Sequence, residues 1–267
     1  GTYFRLGYGS YNDMRLIASN YTKVNEQLGL SFSGNYHHND GFFTNLHTHK
    51  KADKLDNGAG RIGLTWKPAA HWTTRFITSY EYSNQGGYPY GLYNADKGTT
   101  EAVNYNNEGL YRRNLLTSGI NIRYNGPHIS FNSQTSYQYI QDKMGIDQDF
   151  SPRNIFYGQN KIRQHMYCQE FTVKSVNKSR YHWITGAFVF RQTINRKVDL
   201  SRFTDTTRHL TNSGIPTQGI AFYHQSTLDL LQGLSCSVGL RYDYEHARCD
   251  FSKVQQPLNG CLLYTSD

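Results

Sequence analysis

Aromatic and basic side chains that could grip a ligand collect in one polar stretch of the sequence. The segment NQGGYPYGLYN, residues 84–94, contains Tyr88, Tyr90 and Tyr93, and Arg112 and Arg113 follow it. Tyrosine offers a flat apolar ring with a hydroxyl at its tip, and arginine offers fixed donors for carboxylate or catecholate-like oxygens. We predict these five residues as substrate contacts. The alternative is a loop that is only stiffened by tyrosine packing.

Four histidines fall close together in HHNDGFFTNLHTH, and they could in principle ligate a metal. They are His37, His38, His47 and His49. A metal site needs ligands that converge from a fixed backbone, and nothing in a polar surface loop supplies that convergence. The sequence therefore favours ordinary loop histidines over a metal site, and it predicts no cofactor.

A pair of carboxylates, Asp243 and Glu245, lies on one face of a predicted strand together with Arg241. Such a pair could act as acid and base in an enzyme. A satisfied polar network is the favoured interpretation, so we predict no catalytic residues. An enzyme remains the least favoured alternative.

The composition excludes several classes of protein. Hydrophobic residues make up 37% and charged residues 18% of the 267 positions, whereas aromatics reach 15% and tyrosine alone supplies 22 residues. This balance suits neither a disordered chain nor a helical membrane protein, because a run of about 18 apolar residues is missing. The net charge of +8 comes from 28 basic and 20 acidic residues spread along the whole chain, which disfavours a nucleic-acid partner.

The elements that carry these residues alternate between two unlike faces. From Trp72 to Tyr82 every second residue is aromatic, apolar or Thr, whereas the interleaved set contains both charges, Arg75 and Glu81. Side chains of a strand alternate between faces, and ten steps tilted near 45° rise about 23 Å, close to the apolar band of an outer-membrane barrel. A soluble antiparallel sheet also alternates, and a propeller with about 50 residues per blade would share the spacing of the hairpins. Aromatics at both strand ends and long strands favour the membrane barrel.

Short turns and long polar segments alternate along the chain, which is typical of a barrel with short periplasmic turns and longer outer loops. The long segments are predicted near 43–58, 84–112, 141–163 and 194–216. The fold class predicted is all-β, a transmembrane antiparallel β-barrel. We predict about eleven strands, near 2–9, 14–22, 28–42, 59–66, 72–84, 113–124, 128–141, 164–175, 181–193, 217–228 and 234–246.

Several segments carry a resemblance to a known family. The most specific are GLRYDYE (239–245) and DGFFTN (40–45), supported by YGSYNDMR (8–15) and GRIGLTWKPAAHW (60–72). Together they resemble the first half of the barrel of a TonB-dependent outer-membrane receptor, of the kind abundant in Bacteroidetes. The resemblance covers about residues 1 to 260 in order.

This resemblance implies a barrel of 22 strands around an N-terminal plug, with the plug and the later strands lying outside this sequence. It implies an outer-membrane location, contact with lipid, and TonB as an energising partner that acts through the plug. The cargo implied is most often a ferric siderophore or another iron chelate, with cobalamin and glycans as alternatives. A passive porin or an adhesin-like barrel would share the strand features, and it is the competing hypothesis.

Both ends of the sequence are predicted to be internal to a longer chain. Residue 1 is Gly and no secretory leader opens the sequence, so a plug upstream is expected. The last seven residues, CLLYTSD (261–267), match what a sequencing adapter would encode. The domain prediction is therefore a partial receptor barrel over 1–260, followed by a segment, 261–267, that is not structural.

Overall fold

The computed structural model describes residues 1–176 and 179–258, and these form an antiparallel sheet. The predicted tail at 261–267 lies outside the described residues. The strands of this sheet are β1 (Thr2–Gly9), β2 (Asp13–Lys23), β3 (Leu28–Asn39), β4 (Leu55–Trp66), β5 (Trp72–Gly86), β8 (Leu110–Asn125), β9 (Ile129–Asp147), β10 (Phe156–Ser175), β11 (Tyr181–Arg202), β12 (Thr207–Leu231), β13 (Leu234–Ala247) and β14 (Asp250–Pro257). A separate small hairpin consists of β6 (Tyr93–Asn94) and β7 (Thr99–Thr100). Within this part of the chain, no helix has the length and apolar character that crossing a membrane requires.

The strands follow one another in chain order, so the sheet is a meander of eleven adjacent strands. This arrangement confirms the all-β, antiparallel prediction and the estimate of about eleven strands. The twelfth segment, β14, pairs with β12 and continues the line of β13. In the described residues β1 pairs only with β2, and β13 pairs only with β12, which leaves both lateral edges of the sheet open.

The interruption between β13 and β14 has a local cause in β12. Thr217 pairs with Ala247 and Gly214 with Asp250, so the register is the same on both sides of the break. Pro216 lies between these pairs and accepts a hydrogen bond from Arg248 N at 3.1 Å. Proline has no N–H to donate in return, so the ladder loses one bond at this point.

Two of the predicted loops are mostly strand, which corrects the sequence-based boundaries. The segments 141–163 and 194–216 were predicted as long loops, but β9 continues to Asp147, β10 starts at Phe156, β11 runs to Arg202 and β12 starts at Thr207. Only 148–155 and 203–206 remain outside strands. In these strand extensions one face is mostly polar, with Lys143 and Lys161, whereas Met144 and Val198 lie on the opposite face. The apolar set that marks the rest of each strand therefore ends there, although the backbone ladder continues.

The sheet has one face that we call the apolar face, defined by Phe76 and the side chains in register with it, such as Leu64 and Ile120. Many of its large side chains lie uncovered: Phe4 is 65% exposed, Phe222 is 52% and Leu240 is 78%. A soluble protein rarely exposes so extended an apolar surface. The other side of the sheet, with Arg75 and Glu81, is called the polar face.

Aromatic rows border the apolar face at both ends. On the short-turn side Trp72 pairs with Tyr124, and their rings are 5.0 Å apart. On the long-loop side one register row contains Tyr80, Leu116, Tyr139 and His165. We call this second set the tyrosine row, and beyond it the positions that continue the apolar face are mostly polar.

Candidate functional site

Among the described residues, the buried hydrophobic cluster lies in the long loops and not on the sheet. Ala52, Val103 and Tyr105 form it, with Phe150 packed against it. These residues come from three loops, 40–54, 87–109 and 148–155. The long-loop end is therefore a packed cap, which can hold side chains in fixed positions.

Asn45 ties the first loop to the second. Its side chain is 1% exposed, its Nδ2 donates to Tyr105 O at 2.8 Å, and its Oδ1 accepts from Tyr105 N at 3.3 Å. Leu46 N also donates to Val103 O at 2.9 Å. The Asn45 amide pairs with both backbone groups of Tyr105, as a neighbouring strand would. It therefore fixes the position of the first loop relative to the second.

Asp147, at the end of β9, ties the second loop to the third. Its carboxylate is buried and accepts from Asn107 N at 3.2 Å and from Phe150 N at 2.9 Å. Burial raises the pKa of this carboxyl group, against the lowering effect of these donors. Because both donors are backbone N–H groups, the carboxylate fixes the backbone of the second loop at Asn107 and that of the third loop at Phe150.

Two of the predicted tyrosines meet on this cap. Tyr88 and Tyr90 stack with ring centroids 6.1 Å apart, and Tyr90 meets Phe150 edge-on at 5.3 Å. Tyr105 is buried, its pKa is raised to about 12 by burial, and its hydroxyl donates to Tyr88 O at 3.4 Å. Tyr88 has a φ of 63°, a left-handed conformation that is uncommon outside glycine and is held here by its surroundings.

The third predicted tyrosine, Tyr93, lies apart from this stack. It begins the hairpin of β6 and β7, pairs with Thr100 and is 69% exposed. Tyr90 is 53% exposed. The cap therefore presents an aromatic surface open to solvent, with Tyr93 on its own projection.

The two predicted arginines face opposite sides of β8. Arg113 lies on the polar face, where its Nε and Nη2 each donate to Asp142 at 2.9 Å and its guanidinium stacks 5.5 Å from the Tyr111 ring. Arg112 lies on the apolar-face side, and its Nε donates to Asn84 Oδ1 at 3.0 Å. Adjacent strand residues point in opposite directions, so the structure does not bring these two guanidinium groups together. Whether any of the five residues contacts a substrate stays a prediction.

Several residues of the cap escaped sequence reasoning. Asn45, Tyr105, Phe150 and Asp147 organise the loops, and Asp142 neutralises Arg113. Phe150 stands out as an aromatic in the polar segment QDFSPR, which was a usable signal. The others form contacts between distant segments, which spacing along the chain does not reveal.

Two of the four histidines noted in the sequence, His37 and His38, lie beside carboxylates. Nδ1 of His38 is 2.7 Å from Asp56 and its Nε2 is 3.0 Å from Asp40, while His37 Nε2 is 3.1 Å from Asp13. No group of three or more His, Cys, Asp or Glu side chains in the described ranges is arranged to hold a metal ion. Near the chain's end, Arg241 binds Asp243 at 2.8 Å.

The cap encloses little internal space. Asn45, Lys50, Tyr105 and Glu108 help to line a cavity of about 30 Å³, which holds about two waters. A ligand of the size of an iron chelate cannot enter it.

Comparison with known proteins supports the fold. No family model matches the sequence, and no curated protein matches it. The structure is similar to that of the ferric yersiniabactin uptake receptor FyuA from Yersinia pestis, with a TM-score of 0.78, 14% identity, and coverage of 96% of this chain and 42% of that one. It is also similar to FpvA from P. aeruginosa bound to heterologous pyoverdines, with a TM-score of 0.70, 10% identity, and coverage of 96% and 38%.

A third similar structure is the siderophore receptor PiuA from Acinetobacter baumannii, with a TM-score of 0.60, 6% identity, and coverage of 92% of this chain and 46% of that one. The chain thus spans less than half the length of these three structures. Its fold matches part of the fold of these receptors, which confirms the expected all-β, antiparallel fold class.

Proposed function

We propose that this chain is part of an outer-membrane receptor that takes up a ferric siderophore or another iron chelate in a TonB-driven process. The observation that carries the proposal is the uncovered apolar face bordered by aromatic rows at both ends. From Trp72 to Tyr82 the face rises about 23 Å along a tilted strand, which suits an outer-membrane bilayer. The likeness in fold to siderophore uptake receptors supports the same location.

The cargo is proposed to meet the cap first. The aromatic rings of Tyr88 and Tyr90 are stacked in place before any ligand arrives, so little side-chain freedom is lost on binding. Tyr93 and Arg113 are the next residues of the proposed contact set. Arg112 lies on the opposite face of β8 from Arg113, so it belongs to this set only for a ligand that reaches around the strand. Because Asp142 already neutralises Arg113, an anionic group of the cargo must share or replace that ion pair.

The proposed activity breaks no bond in the cargo, so the chain is proposed to act as a transporter and not as an enzyme. Energy would come from TonB through a plug. Bacteroidetes-type ancestry and a plug encoded upstream of Gly1 belong to this proposal. Cobalamin and glycans remain the alternative cargo classes, because the cap's aromatic surface would also stack on a corrin or a sugar ring.

Uptake by the longer protein that contains this chain tests the proposal. Cells that carry it should accumulate a radiolabelled ferric chelate only when TonB is present, and the protein should fractionate with the outer membrane. Its mobility in electrophoresis should change on heating, as for a closed barrel. Recovery in the periplasm would contradict the membrane location, whereas uptake that persists without TonB would favour the passive porin.

A further inference from the structure

A row of basic residues crosses four neighbouring strands beyond the tyrosine row. Arg112 pairs with Lys143, Lys143 with Lys161, and Lys161 with Lys197. Residues directly opposite in a sheet have side chains on the same face about 5 Å apart. We call these four residues the basic ladder.

The basic ladder lies on the continuation of the apolar face. Arg112 is four residues beyond Leu116, Lys143 four beyond Tyr139, and Lys161 four beyond His165. Four residues span an even number of strand positions, so both sets share one face. They correspond to about 13 Å along the strand and about 9 Å along the barrel axis at a tilt near 45°.

Like charges directly opposite in a sheet are destabilising, and this ladder has no internal compensation. In the described part of the chain, none of its four side chains forms an ion pair, and Arg112 donates only to the neutral Asn84. Arg163 adds a fifth positive charge on the same face.

The carboxylates nearest to the basic ladder on this face are occupied elsewhere. Asp199, two positions from Lys197, binds Arg208, and Asp250 binds Arg248 at 2.7 Å. Asn195, Asn212 and Ser252 complete the surface, which forms an open groove of about 950 Å³. The groove thus offers uncompensated cations and neutral hydrogen-bonding groups.

We propose that the basic ladder binds the phosphates of a lipid headgroup in the outer leaflet of the membrane, specifically a phosphorylated glycolipid. Three strand steps of about 4.8 Å place the four cations along about 14 Å, so a disaccharide headgroup with a phosphate at each end can engage the whole row. Lysine is a common phosphate ligand and arginine adds directed donors. The inference rests on the proposed membrane function, because only a membrane-inserted sheet places this row at headgroup depth.

Lipid binding in detergent tests the proposal without requiring uptake. The longer protein is purified in a zwitterionic detergent and titrated with lipid A, and bound lipid is counted by native mass spectrometry. The test variant carries Arg112→Gln, Lys143→Gln, Lys161→Gln and Lys197→Gln. We expect at least a tenfold weaker affinity, because each charge-assisted contact to phosphate is among the stronger hydrogen bonds.

A matched control removes four basic residues at the short-turn end: Lys67→Gln, Arg123→Gln, Lys174→Gln and Arg180→Gln. It has the same net charge as the test variant and should bind lipid A like the parent protein. Dephosphorylated lipid A should bind the parent as weakly as lipid A binds the test variant, and added salt should reduce only the phosphate-dependent binding.

Equal affinity of the test variant and the parent would overturn the inference, and so would equal loss in the two quadruple variants. Stronger binding of a lipid-free acidic polysaccharide than of lipid A at the ladder would also overturn it. Heat-modified mobility of each variant shows that it is folded. Failure of the uptake experiment alone, with lipid binding retained, would instead count against the proposed transport function.

Discussion

The tyrosines of the cap differ in how firmly they are held. Tyr88 and Tyr90 stack on each other and Tyr90 contacts Phe150, whereas Tyr93 is 69% exposed on a small hairpin. A ring that is already in place loses little freedom when a planar or apolar ligand group packs on it. The stacked pair is therefore expected to contribute more to binding than Tyr93.

Replacing Tyr88, Tyr90 and Tyr93 together by Ala should weaken cargo binding. Each aromatic contact contributes about 1 kcal/mol, so the triple variant should lose on the order of a hundredfold in affinity. Whole-cell uptake at unchanged surface abundance measures the effect. The matched Tyr→Phe triple variant keeps the rings and should retain most of the affinity. Wild-type affinity in the Ala variant would place the contacts elsewhere.

Replacing Asn45 by Ala should loosen the cap. The change removes two hydrogen bonds to Tyr105 and leaves buried backbone groups unsatisfied, at a cost of about 1–3 kcal/mol each. Hydrogen exchange at the Tyr105 and Leu46 amides should become faster. Asn104→Ala, at a half-buried position of the loop that contains Tyr105, is the control and should leave that exchange unchanged.

At the level of the elements, Pro216 of β12 divides the neighbouring strand into β13 and β14. Pro216→Ala supplies the missing N–H opposite Arg248 and should join β13 to β14. The new bond contributes about 1 kcal/mol, while the loss of proline's restraint on the unfolded chain offsets about 0.4–1 kcal/mol. The exchange of the Arg248 amide should slow with little change in global stability. Pro68→Ala, in a short turn, should not slow it, and unchanged exchange in both variants would refute the explanation.

The sequence predicts the strands well where the apolar face alternates with polar residues, and it predicts them poorly where the apolar face ends. The short turns and β1, β5 and β13 lie close to their predicted bounds, because apolar and polar residues alternate there. Beyond the tyrosine row the positions that continue the apolar face are mostly polar, so β10 and β12 contain stretches that resemble loops in the sequence. The tyrosine cluster was visible as composition, whereas Asp142 beside Arg113 and Asn45 beside Tyr105 depend on register across 29 and 60 residues.

At the level of the whole molecule, the open edges at β1 and β13 make this segment dependent on further strands. Unpaired backbone groups cannot be satisfied in lipid, and exposed strand edges promote association. Residues 1–258 expressed alone should therefore aggregate and show no heat-modified mobility, whereas the longer protein should show it. Recovery of the segment as a monomer in bilayers with heat-modified mobility would contradict this expectation.

Under the proposed outer-membrane location, the extension of the sheet beyond the tyrosine row would be a target at the cell surface. From Thr193 to Arg202, β11 continues for nine residues, about 30 Å along the strand and about 21 Å along the barrel axis at a tilt near 45°. This wall is a paired, twisted surface and not a flexible tether. Antibodies or phage that attach there must recognise side chains from several strands at once. Immunisation with linear peptides from residues 194–202 or 207–216 should consequently yield sera that bind the denatured protein but not intact cells.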